Sequence, residues 1–469
     1  MIIQPNKPQA QQLIHEGLLA LSEATRQGML IDVVYCTKIN KILNVKISKL
    51  EKKFFKSKMG RLWKHIYKTP NINSDDQLRN ILYDKLKAKV KKKTESKKPS
   101  CDNEALEAAA IDIPELKIFA EYKKLSKVQG TYIQGILKET VNGILHPSFN
   151  LHIPVTFRSS SQNINFQNIP NRDAKLKKLV RKAFIPSKGN QLMAADFSGI
   201  EVNVGACAHK DPKMLDYCRH PEKNNMHTDM AKQIYMLDQF QKEGAEKTLR
   251  KGAKNGYVFP QFYGDYYGNN ALSLAHWGDL PQEGRFTKKQ GVKLMTGITL
   301  GQHFINKGIS NYDSFVNHIK AVEEDFWENR FKVYNKWKEN NIKDYYKKGH
   351  LNMLTGFTCS GLLGPNDINN YPIQGPAFHC LLKTFIKTNK EIKKRGLKSR
   401  LIGQIHDELI IDADPSEVET LKTLLRWIAC EWLREEWSWI IVPMEIEATV
   451  YGIDATWATE PEVTVLRAS

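Results

Sequence analysis

Two acidic segments lie far apart in this chain, and each places an aspartate at the end of a short apolar run. The first reads QLMAADFSGIE and carries Asp196, and the second reads LIGQIHDELIIDA and carries Asp407. Mg²⁺ takes hard oxygen ligands and is commonly held by one or two carboxylates together with substrate phosphates. A pair of such ions clamps the attacking and leaving oxygens of a phosphoryl transfer. The two aspartates can act in this way only if the fold brings them together.

The segment over residues 249–268, between the two aspartates, offers cations and aromatic rings. It reads LRKGAKNGYVFPQFYGDYYG. Arg250 and Lys254 are four residues apart, so one face of a helix presents both of them. Cations bind phosphates, and an aromatic ring suits stacking on a nucleotide base. Acids for metals, cations for phosphates and rings for a base together favour a nucleic-acid polymerase.

The composition agrees with a polyanionic partner. The 469 residues include 70 Lys and Arg against 51 Asp and Glu, which gives a net charge of +19. Ribosome-like or membrane-surface binding would give the same excess. No apolar run approaches the ~18 residues of a membrane helix, and the N-terminus has no apolar signal core. We therefore expect no membrane partner and a cytoplasmic location, which is the host cytoplasm if the protein is viral.

The cysteines and histidines give little support to a metal site of another kind. The seven cysteines are scattered with no C-x-x-C pair, which fits free thiols in a reducing compartment. Cys218, His220 and His227 could contribute to a zinc site, but no fourth ligand stands at a sensible spacing.

The elements that must position these residues follow from the spacing of apolar residues. Helical spacing occurs over residues 10–64, 114–138, 213–350 and 375–395. Strand-like sequence runs over residues 143–170 and 442–451. The strand that carries Asp196 runs into a helix, with Ser198 as a capping residue. The apolar arms around Asp407 predict a β-hairpin with the acids at its tight turn.

A lysine-rich run over residues 85–98 has two interpretations. KLKAKVKKKTESKK holds eight lysines in fourteen residues. Such a run is commonly a solvated loop or helix tip. A mobile basic tip that grips a phosphate backbone is an equally good interpretation.

Six segments in order along the chain resemble motifs of family A DNA polymerases, the group of bacterial DNA polymerase I and many phage replicases. ADFSGIE resembles that family's A-D-Y-S-Q-I-E, and QIHDEL resembles Q-V-H-D-E-L. The middle segment resembles R-R-x-A-K-x-x-N-F-G-x-x-Y-G. Three further matches are TFRSSSQNINFQNIPNR (156–172), NYPIQGPAFH (370–379) and NINSDDQL (71–78). Each motif alone is weak, but six in order over most of the chain are specific.

The resemblance implies an α+β right-hand polymerase fold, with an antiparallel-sheet palm and a mostly helical thumb and fingers. The implied boundaries are an N-terminal extension at 1–19, a thumb at 20–130, a first palm part at 131–212, fingers at 213–374 and a second palm part at 375–469. The lysine-rich run would lie at the tip of the thumb. Because the resemblance begins almost at Met1, we expect the chain to lack a proofreading exonuclease and a 5′ nuclease.

The resemblance also implies roles for individual residues. The catalytic residues would be Asp196, Asp407 and Glu408. Two Mg²⁺ ions, for which Mn²⁺ can substitute, would be held by Asp196, Asp407 and the carbonyl of Phe197. The nucleotide-binding residues would be Arg250, Lys254, Phe259, Tyr263, His227 and Glu201, the last of which would block a ribose 2′-hydroxyl. Primer and template contacts would come from Arg158, Gln167, Asn168, Asn370, Gln374, Gln404 and His406.

The function implied is template-directed DNA polymerisation by a DNA-directed DNA polymerase, in which dNTPs are added to a primer 3′-hydroxyl by two-metal phosphoryl transfer. The partners would be primer–template DNA and dNTPs, and a separate exonuclease, helicase or processivity factor could act with it. The composition and the expected lack of a fused exonuclease favour a phage-like source.

Two alternatives to this function stay open. One is a related single-subunit RNA polymerase or reverse transcriptase, but the RNA-making relatives do not carry both Glu201 and Glu408 in these motifs. The other is a non-catalytic DNA-binding protein descended from a polymerase. Such a protein would be expected to lose an acid or a cation, and this chain keeps both aspartates, Arg250 and Lys254.

The middle segment departs from the family in its length. The family has eight positions from its lysine to its tyrosine, whereas Lys254 to Tyr263 spans nine. Matching from Tyr263 places Phe259 against the incoming base. Matching from Lys254 would place Val258 there, and valine cannot stack. We favour Phe259 for this position.

This choice requires one extra residue inside the helix. We predict a one-residue bulge at Asn255-Gly256, where glycine can take unusual backbone angles. Pro260 is expected to bend the same helix. Residues 270–315 are longer than the family usually has there, and no role is assigned to them.

Overall fold

The protein has a mixed α+β fold, which confirms the predicted fold class. The computed structural model describes residues 5–468 apart from 91–92, 95–96, 103–104, 107–108, 111, 165, 167–168, 171–172, 242 and 406. Within these described residues, no helix is long and apolar enough to cross a membrane.

The strands are numbered here in chain order. They are β1 (Met29–Ile31), β2 (Thr140–Val141), β3 (Ile144–Leu145), β4 (Ser148–Asn150), β5 (Ser160–Gln162), β6 (Phe184–Ile185), β7 (Gln191–Phe197), β8 (His350–Asn352), β9 (Thr358–Ser360), β10 (Arg400–Ile405), β11 (Glu408–Ala413), β12 (Glu445–Val450) and β13 (Glu462–Arg467).

The helices are designated by their residue ranges. The α-helices span Lys7–Gln27, Val33–Lys56, Lys58–Ile66, Asp75–Arg79, Glu115–Lys127, Gly135–Glu139, Ala174–Arg181, Ile200–His209, Pro212–Arg219, Met226–Tyr235, Gly244–Ala253, Phe259–Phe262, Tyr267–Trp277, Leu300–Asn306, Tyr312–Asp325, Lys332–Lys348, Pro365–Lys394, Val418–Arg426 and Leu433–Glu436. Wider π-helical segments are Asn80–Lys85, Val128–Gln134, Lys254–Val258, Phe326–Arg330 and Trp427–Trp432, and one 3₁₀ turn spans Pro415–Glu417.

A five-stranded antiparallel sheet lies at the centre of the molecule, in the order β10, β11, β7, β12, β13. β7 lies between β11 and β12, and its side chains are buried except for Asp196, which is half-buried. β10 and β11 form the predicted hairpin, with Asp407 in the turn. The helix Pro365–Lys394 packs against both strands of this hairpin. The sheet therefore holds the two aspartates on neighbouring elements.

The N-terminal helical stretch is broken, so the prediction of helix over residues 10–64 is wrong at residues 28–32 and at Ser57. The first helix ends at Gln27, and Gly28 follows with a φ of 67°. A Cβ on Gly28 would lie 2.5 Å from Ile144, so the turn requires glycine. β1 then joins β2, β3 and β6 in a second sheet. A strand of three residues is too short to disturb the helical spacing of its neighbours.

Residues 54–122 enclose a core that is separate from the core around the central sheet. Its centre is an aromatic cluster of Phe54, Trp63 and Phe119, which are all fully buried. The indole N–H of Trp63 donates to the side-chain oxygen of Gln77 at 2.8 Å. A core of its own is what a separately packed lobe requires.

The region over residues 213–350 is mostly helical, as predicted. Its aromatic residues Phe326, Phe331 and Tyr334 are buried and pack around Phe262. These rings therefore form core rather than a surface for stacking. Phe262 belongs to the helix that carries Phe259, so this core supports the residues nearest to the central sheet.

Candidate active site

Three carboxylates form a row across the central sheet. Asp196 on β7 lies directly opposite Glu408 on β11 and Glu447 on β12. Residues directly opposite each other on antiparallel strands project from the same face of the sheet. Asp407 precedes β11, and its carbonyl accepts a hydrogen bond from the Phe197 N–H at 3.3 Å. The fold thus brings the two distant acidic segments together, as their chemistry requires.

The row concentrates negative charge around Asp196. Burial, followed by the charges of Asp407, Glu408 and Glu447, raises the pKa of Asp196 to about 8, although Lys254 opposes the shift. Its Oδ1 is buried and has no hydrogen-bond partner among the residues the structure describes. Like charges directly opposite each other destabilise a sheet. The arrangement therefore favours a cation at this position.

Glu408 differs from the other acids in the row because it has a basic partner. The Arg181 Nη2 atom lies 3.9 Å from the Glu408 Oε2 atom. Burial nevertheless raises the pKa of Glu408, and Arg181 only partly offsets it. Arg181 in turn lies over the ring of Trp457, 4.1 Å from its centre. Glu408 is therefore held at the sheet by a buried arginine, which the sequence alone did not indicate.

The donor set fits a hard divalent cation that substrate helps to bind. No group of three or more His, Cys, Asp or Glu side chains within the described part of the chain is gathered so as to hold a metal ion. Mg²⁺ does not require such a group, because it is usually bound by one or two carboxylates plus phosphate oxygens and water. Asp196, Asp407 and the Phe197 carbonyl offer oxygen ligands only, which suits Mg²⁺ and Mn²⁺.

One open cleft collects many of the predicted residues. It has a volume of about 1220 Å³ including its mouth. The predicted residues that line it are Arg158, Asp196, Phe197, Glu201, Lys254, Phe259, Gln374 and Asp407. Tyr263 and Asn370 line an adjoining apolar cavity that also touches Glu201, Phe259 and Gln374. The cleft is bounded on one side by the carboxylate row and on the other by the helix Phe259–Phe262.

The two cations of the middle segment have different surroundings. Lys254 lines the cleft, with its Nζ 5.2 Å from the centre of the Phe259 ring. Arg250 points elsewhere: its Nε donates to the Thr228 hydroxyl at 3.2 Å, and its Nη2 donates to the Asn225 side-chain oxygen at 3.0 Å. Arg250 thus joins its helix to the N-terminal end of the helix Met226–Tyr235.

His227 lies in that same first turn and completes this side of the site. Its ring meets the Phe259 ring edge-on, with 5.7 Å between the centres. Burial, and then the charges of Lys254 and Arg250, lower the pKa of His227 to about 3. The imidazole is therefore neutral at pH 7, and its buried Nδ1 has no hydrogen-bond partner within the described residues.

The predicted bulge is present as the π-helical segment Lys254–Val258. A π-helical turn takes up one residue more than an α-helical turn. Phe259 consequently reaches the cleft, whereas Tyr257 and Val258 are fully buried in the core. The prediction of an extra residue between Lys254 and Phe259 is confirmed.

The predicted reason for the bulge is wrong in one detail. Gly256 does not take a positive φ. It is instead needed for close packing, because a Cβ there would lie 2.7 Å from the Ser273 hydroxyl. Pro260 stands in the first turn after the π-helical segment, and its carbonyl accepts from the Asp265 N–H at 2.9 Å. Proline is tolerated in a first turn because it has no N–H to donate.

Glu201 is fixed at the edge of the cleft by two partners. It lies in the first turn of the helix that follows β7. Its carboxylate accepts a hydrogen bond from the Tyr263 hydroxyl and lies 3.6 Å from Arg158 Nη1. The predicted cap of this helix is wrong: Gly199, with a φ of 63°, occupies the N-cap position, and Ser198 gives no capping bond.

The predicted primer and template residues fall into three groups. Arg158, Gln374 and Asn370 line the cleft or the adjoining cavity. Gln404 is buried on β10, where its side-chain oxygen accepts from the Ser159 hydroxyl at 2.7 Å. Gln167, Asn168 and His406 lie outside the described residues.

Glu447 is the site residue that the sequence reasoning missed. It lies in the run MEIEATV, where alternate residues of β12 are buried and Glu447 is on the other face. This alternation lies within the strand that the sequence predicts over residues 442–451. The pairing of β12 with β7 puts Glu447 beside Asp196. The alternation within one strand does not show which other strand it pairs with.

The comparisons with known proteins show a similar fold and the family of this chain. The polymerase domain of Pol1 from M. smegmatis, solved in complex with a DNA primer–template and dNTP, has a similar fold. The TM-score is 0.72 with 21% sequence identity, over 94% of this chain and 70% of that chain. The sequence model of DNA polymerase family A matches residues 34–284 and 363–457. The chain belongs to DNA polymerase family A.

The curated relatives are bacterial enzymes of greater length. DNA polymerase I of Lactococcus lactis is 28% identical over 407 residues, which cover 83% of this chain and 40% of the relative. The thermostable DNA polymerase I of Thermus aquaticus is 26% identical over 460 residues, which cover 95% of this chain and 47% of the relative. The chain thus spans less than half the length of these relatives.

Proposed function

We propose that this chain is a template-directed DNA polymerase that adds dNTPs to the 3′-hydroxyl of a primer. The observation that carries the proposal is that three acids, Asp196, Asp407 and Glu447, line the same cleft as Lys254 and Phe259. Membership of family A supports it. The M. smegmatis domain of similar fold was solved with the same class of DNA and nucleotide.

The metal-binding residues in this proposal are Asp196, Asp407 and the carbonyl of Phe197. Two Mg²⁺ ions would be held there, and Mn²⁺ would substitute because it takes the same oxygen ligands. When bound, the ions neutralise charge on the attacking and leaving oxygens of the phosphoryl transfer. Glu408 and Glu447 flank Asp196 and add negative potential to the same place.

The nucleotide would lie between this row and the helix that carries Phe259. Lys254 supplies a charge for its phosphates from across the cleft. Arg250 holds the first turn of Met226–Tyr235 in place, and the neutral His227 in that turn offers a hydrogen bond to a phosphate oxygen. Phe259 would stack on the incoming base, because it lines the cleft together with Lys254.

Glu201 would exclude a ribose 2′-hydroxyl. Its carboxylate is held by Tyr263 and Arg158 at the cleft edge, so it cannot swing away without losing both contacts. A carboxylate fixed in this way leaves no room for an added hydroxyl on the sugar. This selects dNTPs over rNTPs.

Arg158, Asn370, Gln374 and Gln404 would contact primer or template, together with Gln167, Asn168 and His406. Amides and an arginine suit this task, because the minor-groove acceptors are alike for every correct base pair. Such contacts test whether a pair is well formed without reading its sequence.

We propose the same boundaries for the thumb, palm and fingers that the resemblance implies. Residues 20–130 would form the thumb, and their separate core around Phe54 and Trp63 supports a lobe there. Residues 131–212 with 375–469 would form the palm, which includes the central sheet. Residues 213–374 would form the fingers, and residues 1–19 an N-terminal extension.

Primer extension in Mg²⁺ with dNTPs or rNTPs tests the proposal. We expect extension with dNTPs and little with rNTPs, and Glu201→Ala should raise rNTP use relative to dNTP use. Absence of extension by the wild-type chain, or an unchanged ratio in the variant, would contradict it. With a mismatched primer, we expect no Mg²⁺-dependent removal of the 3′ end by these 469 residues.

A further inference from the structure

A buried polar network lies behind the helix Phe259–Phe262. Its centre is Gln261, which is only 1% exposed. The Gln261 Nε2 donates to the side-chain oxygen of Asn270 at 2.7 Å and to the carboxylate of Glu323. Its Oε1 accepts from the indole N–H of Trp327 at 2.6 Å. Both donors and the acceptor of this carboxamide are therefore used.

The network continues beyond Gln261 in two directions. The Lys338 Nζ lies 3.1 Å from the centre of the Trp327 ring. The Asn270 Nδ2 donates to the Asp265 carboxylate at 3.3 Å. Trp327 and Lys338 lie within residues 285–362, which the family A sequence model does not match. The partners of Gln261 thus come from separate helices.

Gln261 occupies a distinctive place on its helix. It stands between Phe259 and Tyr263, which line the cleft and the adjoining cavity. Its own side chain is directed to the opposite side, into the network. A rotation of this short helix would move Phe259 and Tyr263 and would also break the bonds of Gln261. Buried polar groups left without partners are unfavourable, and fully bonded networks specify one arrangement.

We propose that Gln261 is a positioning residue for nucleotide selection, which fixes the rotation of the helix Phe259–Phe262 through Glu323, Asn270 and Trp327. The inference rests on the proposed polymerase function. The groups that bond Gln261 lie behind the helix and do not touch the nucleotide, but they determine where Phe259 and Tyr263 are placed.

Three variants of the network test the inference. Gln261→Leu keeps the approximate volume and removes all three hydrogen bonds. Gln261→Glu sets two carboxylates against each other, and adding Glu323→Gln restores an amide–carboxylate pair with the two groups exchanged. The measurements are kcat/KM for one correct and one mismatched dNTP in single-nucleotide insertion, and the Kd for primer–template DNA.

Gln129 provides a matched control. It is also a buried glutamine, 7% exposed, and its Nε2 donates to Asn40 and Asn44 in a different part of the molecule. Gln129→Leu therefore removes a comparable buried amide without touching the helix that carries Phe259. Thermal unfolding of each variant identifies a temperature at which all are folded.

The expected result is a loss of selection without a loss of DNA binding. Gln261→Leu and Gln261→Glu should lower kcat/KM for the correct dNTP by roughly tenfold to a hundredfold, as small misplacements do. They should lower it less for the mismatched dNTP. The exchanged pair should recover part of the loss, because a carboxylate at position 261 still cannot donate to Asn270. Gln129→Leu should keep wild-type selection.

Three results would overturn the inference: wild-type selection in both Gln261 variants, an equal loss in Gln129→Leu, or no recovery in the exchanged pair. Each of them leaves the proposed function intact, because the wild-type chain still extends a primer. Failure of the wild-type chain to extend any primer would instead remove the proposed function.

Discussion

At the scale of single residues, the decisive feature is the crowding of acids around Asp196. Glu408 and Glu447 flank it on the neighbouring strands, and its own pKa is raised by burial and by their charges. Without a bound cation, this crowding of negative charge lowers the stability of the fold. Arg181 partly offsets it at Glu408.

This raised pKa predicts how unfolding depends on pH when metals are chelated. In the unfolded chain the carboxyl ionises near pH ~4, whereas in the folded protein it holds its proton up to a pKa of about 8. The folded state therefore binds more protons between these values, and its stability falls as the pH rises through that window. Asp196→Asn removes the effect. In EDTA, its Tm should exceed that of the wild type at pH 8 and approach it near pH ~4.

Thermal unfolding at several pH values checks this prediction. Mg²⁺ should reduce the difference in Tm between Asp196→Asn and the wild type at pH 8, because it neutralises the charge that the variant lacks. If the difference in Tm between the variant and the wild type is the same at every pH, Asp196 ionises normally in the folded protein.

At the scale of elements, the π-helical segment Lys254–Val258 decides which side chain faces the cleft. It inserts one residue, so Phe259 faces the cleft while Val258 is buried. The register could be predicted from the count between Lys254 and Tyr263. The backbone form of the extra residue could not, because it depends on how closely Gly256 packs on Ser273.

Selection against dideoxynucleotides tests this register. Phe259→Tyr should increase their incorporation, because the added hydroxyl can donate a polar contact in place of the missing 3′-hydroxyl. Val258→Tyr is the matched control, and it should lower the Tm without changing selection. Termination assays on a primed template measure both, and the opposite pattern would place the register one residue away.

Other elements show where sequence patterns suffice and where they do not. The hairpin around Asp407 was predictable, since apolar arms on both sides of a polar turn specify it locally. The strand β1 could not be predicted, because three residues are too few to show the alternation that is typical of a strand. Glu447 was missed for another reason: strand pairing, rather than local alternation, places it beside Asp196.

At the scale of the whole molecule, Lys89 of the lysine-rich run pairs with a residue of the region that we propose as the fingers. The Lys89 Nζ lies 3.0 Å from the Glu283 Oε2, and both side chains are exposed. An exposed ion pair contributes only about 0–1 kcal/mol. A phosphate backbone that enters between the lobes can therefore compete for these lysines.

Neutralising lysines of this run tests its role in DNA binding. Changing Lys85, Lys87 and Lys89 to Gln should weaken binding alike for all sequences and flatten the log–log salt dependence by up to ~2.7. Glu283→Gln breaks the same ion pair without removing a lysine, and it should keep the wild-type slope. An unchanged slope in the triple variant would favour a solvated run that does not touch DNA.

The most direct test of the whole account is primer extension by Asp196→Asn and Asp407→Asn, measured beside their affinity for primer–template DNA. Both side chains line the cleft. The account predicts that either variant loses nucleotide incorporation while its DNA affinity stays near that of the wild type. Extension by either variant at the wild-type rate would contradict it.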